Sequence, residues 1–311
     1  MILLSYIIPA YNAASYLKDC LESIYQVQMG PYVREVIVIN DGSTDATAEV
    51  LAEAQQRHPD LMVRTQPNQG QSVARNAGMA LARGKYIYFV DADDALDVEG
   101  ASKFPWECLE KEDIDLYAVN LNKVGKKGKS PYRRYEPVYN YLYRPACRFM
   151  AHRNLLPCPC AYIYRRAFIE AEGLRFHEGI FHEDEEWTPM VFAKAGSFVA
   201  LNVDFYLRYI RKESTTTTTD VQKQERKLRN MLTVIRTLDA YLQQHPDMRP
   251  HMSHKLDYLC VDVLLLLRRQ HHRRAFRKEV VNELRALGYF PLHKHHGFKY
   301  RTFRLLSRCI Y

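Results

Sequence analysis

The chain carries Lys85-Tyr86-Ile87-Tyr88-Phe89-Val90 and then, without a break, Asp91-Ala92-Asp93-Asp94. The apolar half, β-branched and aromatic and preceded by Gly84, has the pattern of a buried strand. Three carboxylates within four residues at its end repel one another, so a cationic neighbour is expected there. Carboxylates spaced D-x-D can give a hard divalent cation one or two oxygen ligands. Taken alone, the same residues suit a solvated acidic turn equally well.

Upstream, the sequence alternates strand and helix. Residues 4–9 form an apolar strand ending in Ala10-Tyr11-Asn12, and residues 14–26 a helix with Leu17, Leu21 and Ile24 on one face. A second strand, 35–39, ends in Asn40-Asp41-Gly42-Ser43-Thr44-Asp45; Ser43 or Thr44 is placed to cap a helix over 46–57. A short strand, 61–65, leads through Pro67-Asn68-Gln69-Gly70 into a helix over 72–82. This order predicts an α/β fold with a mostly parallel sheet and helices on both faces. Such sheets bind ligands at the carboxyl ends of their strands. Three of those ends carry the unusual polar groups: Tyr11-Asn12, Asn40-Asp41, and Asp91 with Asp93. Asp41 can accept hydrogen bonds from a base or ribose, and Asp93 can hold a metal against phosphates. No G-x-G-x-x-G follows the first strand, and Gly128-Lys129-Ser130 lacks the first glycine a P-loop needs, that position being Lys123. A metal is therefore the expected partner of a diphosphate.

The middle, residues 97–219, is expected to be irregular and aromatic-rich. Its notable cluster, His182-Glu183-Asp184-Glu185-Glu186-Trp187, opens a helix running to about residue 195. Acids suit a helix's first turn, but four in succession exceed that need, and one or two can point into a cleft. An extended stretch over 197–210 ends at Arg208 and Arg211, which can pair with phosphate or with those acids. Thr215 to Thr219 form a polar loop, a candidate lid.

The chain's 311 residues can bury a sizeable core, and 47% apolar with 26% charged residues is a globular composition. The net charge of +8 is unevenly spread: residues 221–311 hold 19 Lys and Arg against 7 Asp and Glu. That basic tail, helical over 221–243 and 254–270, points to an anionic partner. Phe298, Phe303, Leu305 and Leu306 among Lys299, Arg301, Arg304 and Arg308 have an interfacial, amphipathic character. The His293-Lys294-His295-His296 run has no cysteine or acid to complete a zinc site. Seven scattered cysteines fit reduced, structural roles and a cytoplasmic setting. The N-terminus lacks the basic segment and cleavage site of a signal peptide.

The ordered motifs Ser5-Tyr6-Ile7-Ile8-Pro9-Ala10-Tyr11-Asn12, Asn40-Asp41-Gly42-Ser43-Thr44-Asp45, Asn68-x-Gly70 with Ala74-Arg75-Asn76-x-Gly78, and Asp91-Ala92-Asp93-Asp94 resemble family 2 nucleotide-sugar glycosyltransferases of the GT-A fold. The resemblance covers residues 3–97 closely. It continues loosely through Glu183-Asp184 and Arg211-x-x-Ser214. It implies a nucleotide-sugar-binding half over 1–97 and an acceptor half over 98–219, whereas the basic helical region over 220–311 matches no signature of the family. It further implies an inverting, metal-dependent sugar transfer from a nucleotide diphosphate donor, UDP being the expected nucleotide. The acceptor is then a saccharide or lipid-linked hydroxyl, as in cell-surface polysaccharide synthesis. Pro9, Tyr11, Asn12 and Asp41, with Asn68, Gly70 and Arg75, would line the donor site. Asp91 and Ala92 would face the ribose or sugar. Asp93 would ligate Mg²⁺ or Mn²⁺, Arg211 would meet the diphosphate, and Asp184 would be the general base, with Glu183 and Glu185 as alternatives. The tail would dock on the cytoplasmic face of an anionic membrane. Two other classes compete. One is a D-x-D phosphatase of haloacid dehalogenase type, though Ala95 stands where Thr or Val is usual. The other is a basic nucleic-acid-binding protein, for which no recognition motif is visible.

Overall fold

The computed structural model describes residues 1–135, 142–152, 155–211, 220–269 and 272–290. The motifs at Ser214, Thr215–Thr219, His293–His296 and Phe298–Arg308 lie outside them. The chain divides into two compact units: Met1–Ala146, Leu156–Gly179 and Lys194–Lys212 in one; Cys147–Leu155, Ile180–Ala193 and Glu213–Tyr311 in the other.

The first unit opens with the expected alternation: β1 (Ile2–Ala10), α1 (Leu17–Gln26), β2 (Val33–Asp41), α2 (Thr47–Arg57), β3 (Met62–Gln66), α3 (Gln71–Leu81) and β4 (Tyr86–Phe89). Then come β5 (Ala95–Leu96), α4 (Val98–Ser102), α5 (Glu107–Lys111), β6 (Leu116–Gly125), β7 (Gly128–Arg133) and β8 (Leu142–Tyr143). After α6 (Cys147–His152), which belongs to the second unit, follow β9 (Tyr162–Arg165), α7 (Arg166–Ala171), then α8 (Glu183–Lys194), which but for Lys194 also belongs to the second unit, and β10 (Phe198–Tyr209). All ten strands form one sheet in the order β3-β2-β1-β4-β9-β6-β10-β5, with β7 on β6 and β8 on β10. The pairs β3-β2, β2-β1 and β1-β4 are parallel, whereas β9 runs antiparallel between β4 and β6.

Two local expectations change. Ser43 and Thr44 do not cap α2; Ala46 stands at the cap without a side-chain bond, and Asp45 instead accepts from the Thr47 amide (3.1 Å). Among its described residues, the middle of the chain carries strands and short helices where irregular backbone was expected. Its strand β6 carries polar residues inward, Asn120 and Asn122 being fully buried. Asn120 is satisfied by Asn202 (2.7 Å), Asp204 (3.2 Å) and the Tyr135 amide (2.8 Å), so burial costs it little.

Helix α3 lies against β1 at a contact that only glycine permits. A Cβ on Gly78 would stand 2.3 Å from Cγ2 of Ile7, a fully buried β-branched side chain with no room to turn. Alanine normally gains a helix interior about 1 kcal/mol over glycine, but overpacking costs about 1–3 kcal/mol. Gly78→Ala is therefore expected to lower stability. A urea midpoint unchanged or raised would contradict that packing.

In the second unit, α9 (Val221–Gln244), α10 (Arg249–Arg269) and α11 (Arg274–Ala286) bury apolar stripes on one another. Leu232, Ile235 and Leu238 of α9, Leu256, Leu259 and Val263 of α10, and Val280 and Leu284 of α11 are all at most 1% exposed. Asp220 caps α9, accepting from the Gln222 (2.9 Å) and Lys223 (3.4 Å) amides. No helix among the described residues is long and apolar enough to cross a membrane.

Candidate functional site

The parallel register brings the carboxyl ends of β1, β2 and β4 to one edge, because Ala10 pairs with Asn40 and Ile7 with Phe89. The loop after β1 is stitched to the loop after β2. Asn12, in the left-handed region at φ 48°, donates its amide to Ser43 Oγ (3.0 Å) and accepts from the Thr44 amide (2.8 Å). The Ala13 amide donates to Thr47 Oγ1 (2.8 Å), and that of Ala14 to Asp45 (3.2 Å). Pro9 is buried at the strand end; Tyr11 is half exposed on the rim.

Asp41, buried at the end of β2, is cradled by the following loop. Its Oδ1 accepts from Gln66 Nε2 (2.8 Å) and the Gln69 amide (3.0 Å), and its Oδ2 from the Gly70 amide (2.7 Å). Gly42 permits this approach: its φ is +68°, and a Cβ there would meet the Asn68 amide nitrogen at 2.6 Å. Asn68 itself is exposed on the loop.

The three carboxylates after β4 have separate partners. Asp91 receives Arg75 (2.9 Å) and Gln71 (3.1 Å) from α3. Arg75 is only 2% exposed and lies 5.1 Å from the Phe176 ring, so it reaches outward through Asp91. Asp93, with a half-exposed side chain, pairs with Arg211 at 3.3 Å; that guanidinium also stacks 3.5 Å from the Tyr16 ring. Asp94 is buried, accepting from Tyr206 Oη and the Tyr209 amide at 2.8 Å each. Burial, followed by the charge of Asp91, pushes the Asp94 carboxyl up to about 7. The same two causes raise that of Asp93, with Arg211 opposing them. Ala92 is a buried spacer between these groups.

The expected cations are thus two arginines from distant segments. Tyr206, Tyr209 and Gln71 escaped the sequence reading, since no motif marks them and the two tyrosines come from more than a hundred residues downstream. Arg211 meets Asp93 rather than the acids of α8, and Arg208 lies 5.6 Å from the Tyr132 ring.

Among the described residues no three His, Cys, Asp or Glu side chains gather as a metal cluster. One or two carboxylates, completed by phosphate and water, suit Mg²⁺, and Asp93 with Asp91 is such a donor set.

In the second unit, α8 begins at Glu183 after His182, whose φ is +66°. Asp184 Oδ1 accepts the Glu185 amide (3.0 Å). Glu185 is ion-paired with Lys255 of α10, both side chains largely buried. Burial pushes the His182 imidazole below its ordinary value and the Asp262 carboxyl above its own.

The family model described as glycosyl transferase family 2 matches residues 5–172. An uncharacterized glycosyltransferase, YibD, of Escherichia coli K12 is 33% identical over 192 residues; the match covers 60% of this chain and 55% of that relative's length. In fold, the chain is similar to Staphylococcus aureus TarS 1–349 solved with UDP-GlcNAc (TM-score 0.63, 19% identity, 93% of this chain and 87% of that one). It is also similar to the mannosyltransferase PcManGT of Pyrobaculum calidifontis solved with GDP-Man and Mn²⁺ (TM-score 0.57, 14% identity, 99% and 79%).

Proposed function

Because the chain belongs to glycosyl transferase family 2, we propose that it moves a sugar, with inversion, from a nucleotide diphosphate donor to a hydroxyl of a saccharide or lipid-linked acceptor in cell-surface polysaccharide synthesis. UDP is the favoured nucleotide. The observation that carries this reading is the convergence of Asp41, Asp91 and Asp93 on one edge of a parallel sheet, with Arg75 and Arg211 as counter-charges.

Pro9, Tyr11 and Asn12 with Asp41, Asn68 and Gly70 take the base and ribose. Asp41 keeps acceptor capacity on Oδ2 for a base N–H or ribose hydroxyl. Asp91, oriented by Arg75, faces the ribose or sugar alongside Ala92. Asp93 holds Mg²⁺ or Mn²⁺, which when bound acts as a Lewis acid on the leaving diphosphate. Arg211 adds positive charge beside those oxygens. Asp184 removes the acceptor hydroxyl's proton; the oxygen attacks the anomeric carbon, and the bond to the phosphate oxygen breaks. A single displacement inverts that carbon. Among the neighbouring acids, Glu185 is committed to Lys255, which favours Asp184 as base.

A thermal-shift screen of nucleotide sugars with and without Mn²⁺ tests the reading. One nucleotide family is expected to stabilise the protein, and more strongly with the cation. A flat response to all of them removes the donor site.

The nucleotide-binding half over 1–97, the acceptor half over 98–219 and the basic region from 220 are part of the same proposal. The basic region serves to hold the enzyme at an anionic membrane surface, where each cation contributes about 1 kcal/mol. Full-length protein is expected to sediment with anionic vesicles at low salt, to be released by high salt, and to ignore neutral vesicles. Failure to sediment with anionic vesicles at low salt rejects the membrane role.

A further inference from the structure

Beside the Asp41 cradle a second concavity opens within the first unit. It is a groove of about 470 Å³ between the edge strand β3, the outer face of α3 and the segment that carries Arg175 and Glu178. Val73, Ala77 and Ala80 floor it, three residues spaced to share one helix face. Arg64 from β3 and Arg175 line it. Both are exposed, and among the described residues neither guanidinium has a hydrogen-bond or ion-pair partner.

The wall bearing Arg175 is held firmly. Asn76 of α3 donates to the Phe176 carbonyl (2.9 Å) and to Glu178 Oε1 (3.0 Å), and accepts the Phe176 amide (2.9 Å). Asn76 fixes Glu178 Oε1 without cancelling its charge, so the groove sets two guanidiniums against one carboxylate and is net positive. The groove also shares Gln66 and Gln69 with the cradle, since both donate to Asp41. It begins where the proposed donor site ends.

We propose that this groove is a subsite for a negatively charged stretch of the acceptor, a saccharide whose repeating unit bears a carboxylate or a phosphodiester. The inference rests on the glycosyltransferase reading and extends it to the acceptor's chemical class. Guanidinium forks match both oxyanions in bidentate geometry. The small apolar floor suits the C–H face of a sugar ring. Binding energy from a part of the substrate remote from the reacting bond can be used to position the reacting hydroxyl.

Calorimetry on the full-length protein tests it with three probes of equal length: a glucuronate-containing tetrasaccharide, a glycerol-phosphate tetramer and a neutral glucose tetramer. At low salt an anionic probe is expected to bind at least tenfold more tightly than the neutral one, and preference between the two anions identifies the source of the charge. Arg64→Glu with Arg175→Glu is expected to abolish that preference while leaving nucleoside diphosphate binding and melting temperature unchanged. The Arg64→Gln, Arg175→Gln pair serves as a milder variant with the same expected loss of preference. Equal binding of charged and neutral probes overturns the proposal, as does a preference that survives both double variants. Failure of the wild-type protein to bind any nucleoside diphosphate instead strikes at the donor reading, so the two failures are separable.

Discussion

Asp184→Asn is expected to lower turnover by about 10²–10⁴-fold, the usual contribution of a positioned general base, with donor affinity little changed. The substitution keeps the side chain's shape and its oxygen acceptor for the Glu185 amide, so the helix start should persist. What it removes is basicity. A hydroxyl is a weak nucleophile at neutral pH, and the loss should appear in kcat rather than in donor binding. The neighbours supply the control. Glu185→Gln breaks the largely buried ion pair with Lys255, and leaving one partner of a buried pair uncompensated is destabilising. Its turnover must therefore be compared per folded molecule. Near-normal turnover in Asp184→Asn, with Glu183→Gln or Glu185→Gln inactive, would move the role to that neighbour.

Asp93→Ala is expected to weaken metal-dependent binding of a nucleoside diphosphate by about 10²-fold, on the scale of several kcal/mol that metal charge supplies to phosphate oxygens. Calorimetry with and without Mn²⁺ reads this directly. Metal-independent binding should change much less, because Asp41 and the rim residues are untouched. The fold should survive: the lost ion pair with Arg211 involves a side chain that is 50% exposed, and such pairs are worth about 0–1 kcal/mol. Asp91→Ala is the companion variant. If it abolishes the metal effect while Asp93→Ala does not, Asp91 is the principal ligand.

Much of the N-terminal strand–helix alternation was legible, because each chemical group sits where an apolar strand stops. Tyr11-Asn12, Asn40-Asp41 and Asp91-Ala92-Asp93 interrupt hydrophobic runs, and parallel strands place their ends together. The balancing of those charges was not legible. Asp91 is met by Arg75 sixteen residues away, and Asp94 by Tyr206 from 112 residues away; only the folded chain makes them neighbours. Strand β6 was hidden for a related reason. Asn120 and Asn122 break its apolar pattern, yet they are buried, and Asn120 finds partners on β10. Helix α11 was available in principle, since Phe276, Val280, Val281 and Leu284 follow helical spacing, but the surrounding arginines and lysine obscured it.

The stitching of Asn12 to Ser43 and Thr44, and of Ala13 and Ala14 to Thr47 and Asp45, makes the two loops on the rim a single mechanical body. Ordering that a nucleotide would otherwise impose is already in place, so less of its binding free energy goes into immobilising the protein. The amides of residues 12–14 and 44–47 should consequently exchange with solvent deuterium as one cooperative group. Asn12→Ala should accelerate exchange across the gap, at Thr44 as well as in its own loop, because the Thr44 amide donates to the Asn12 side chain.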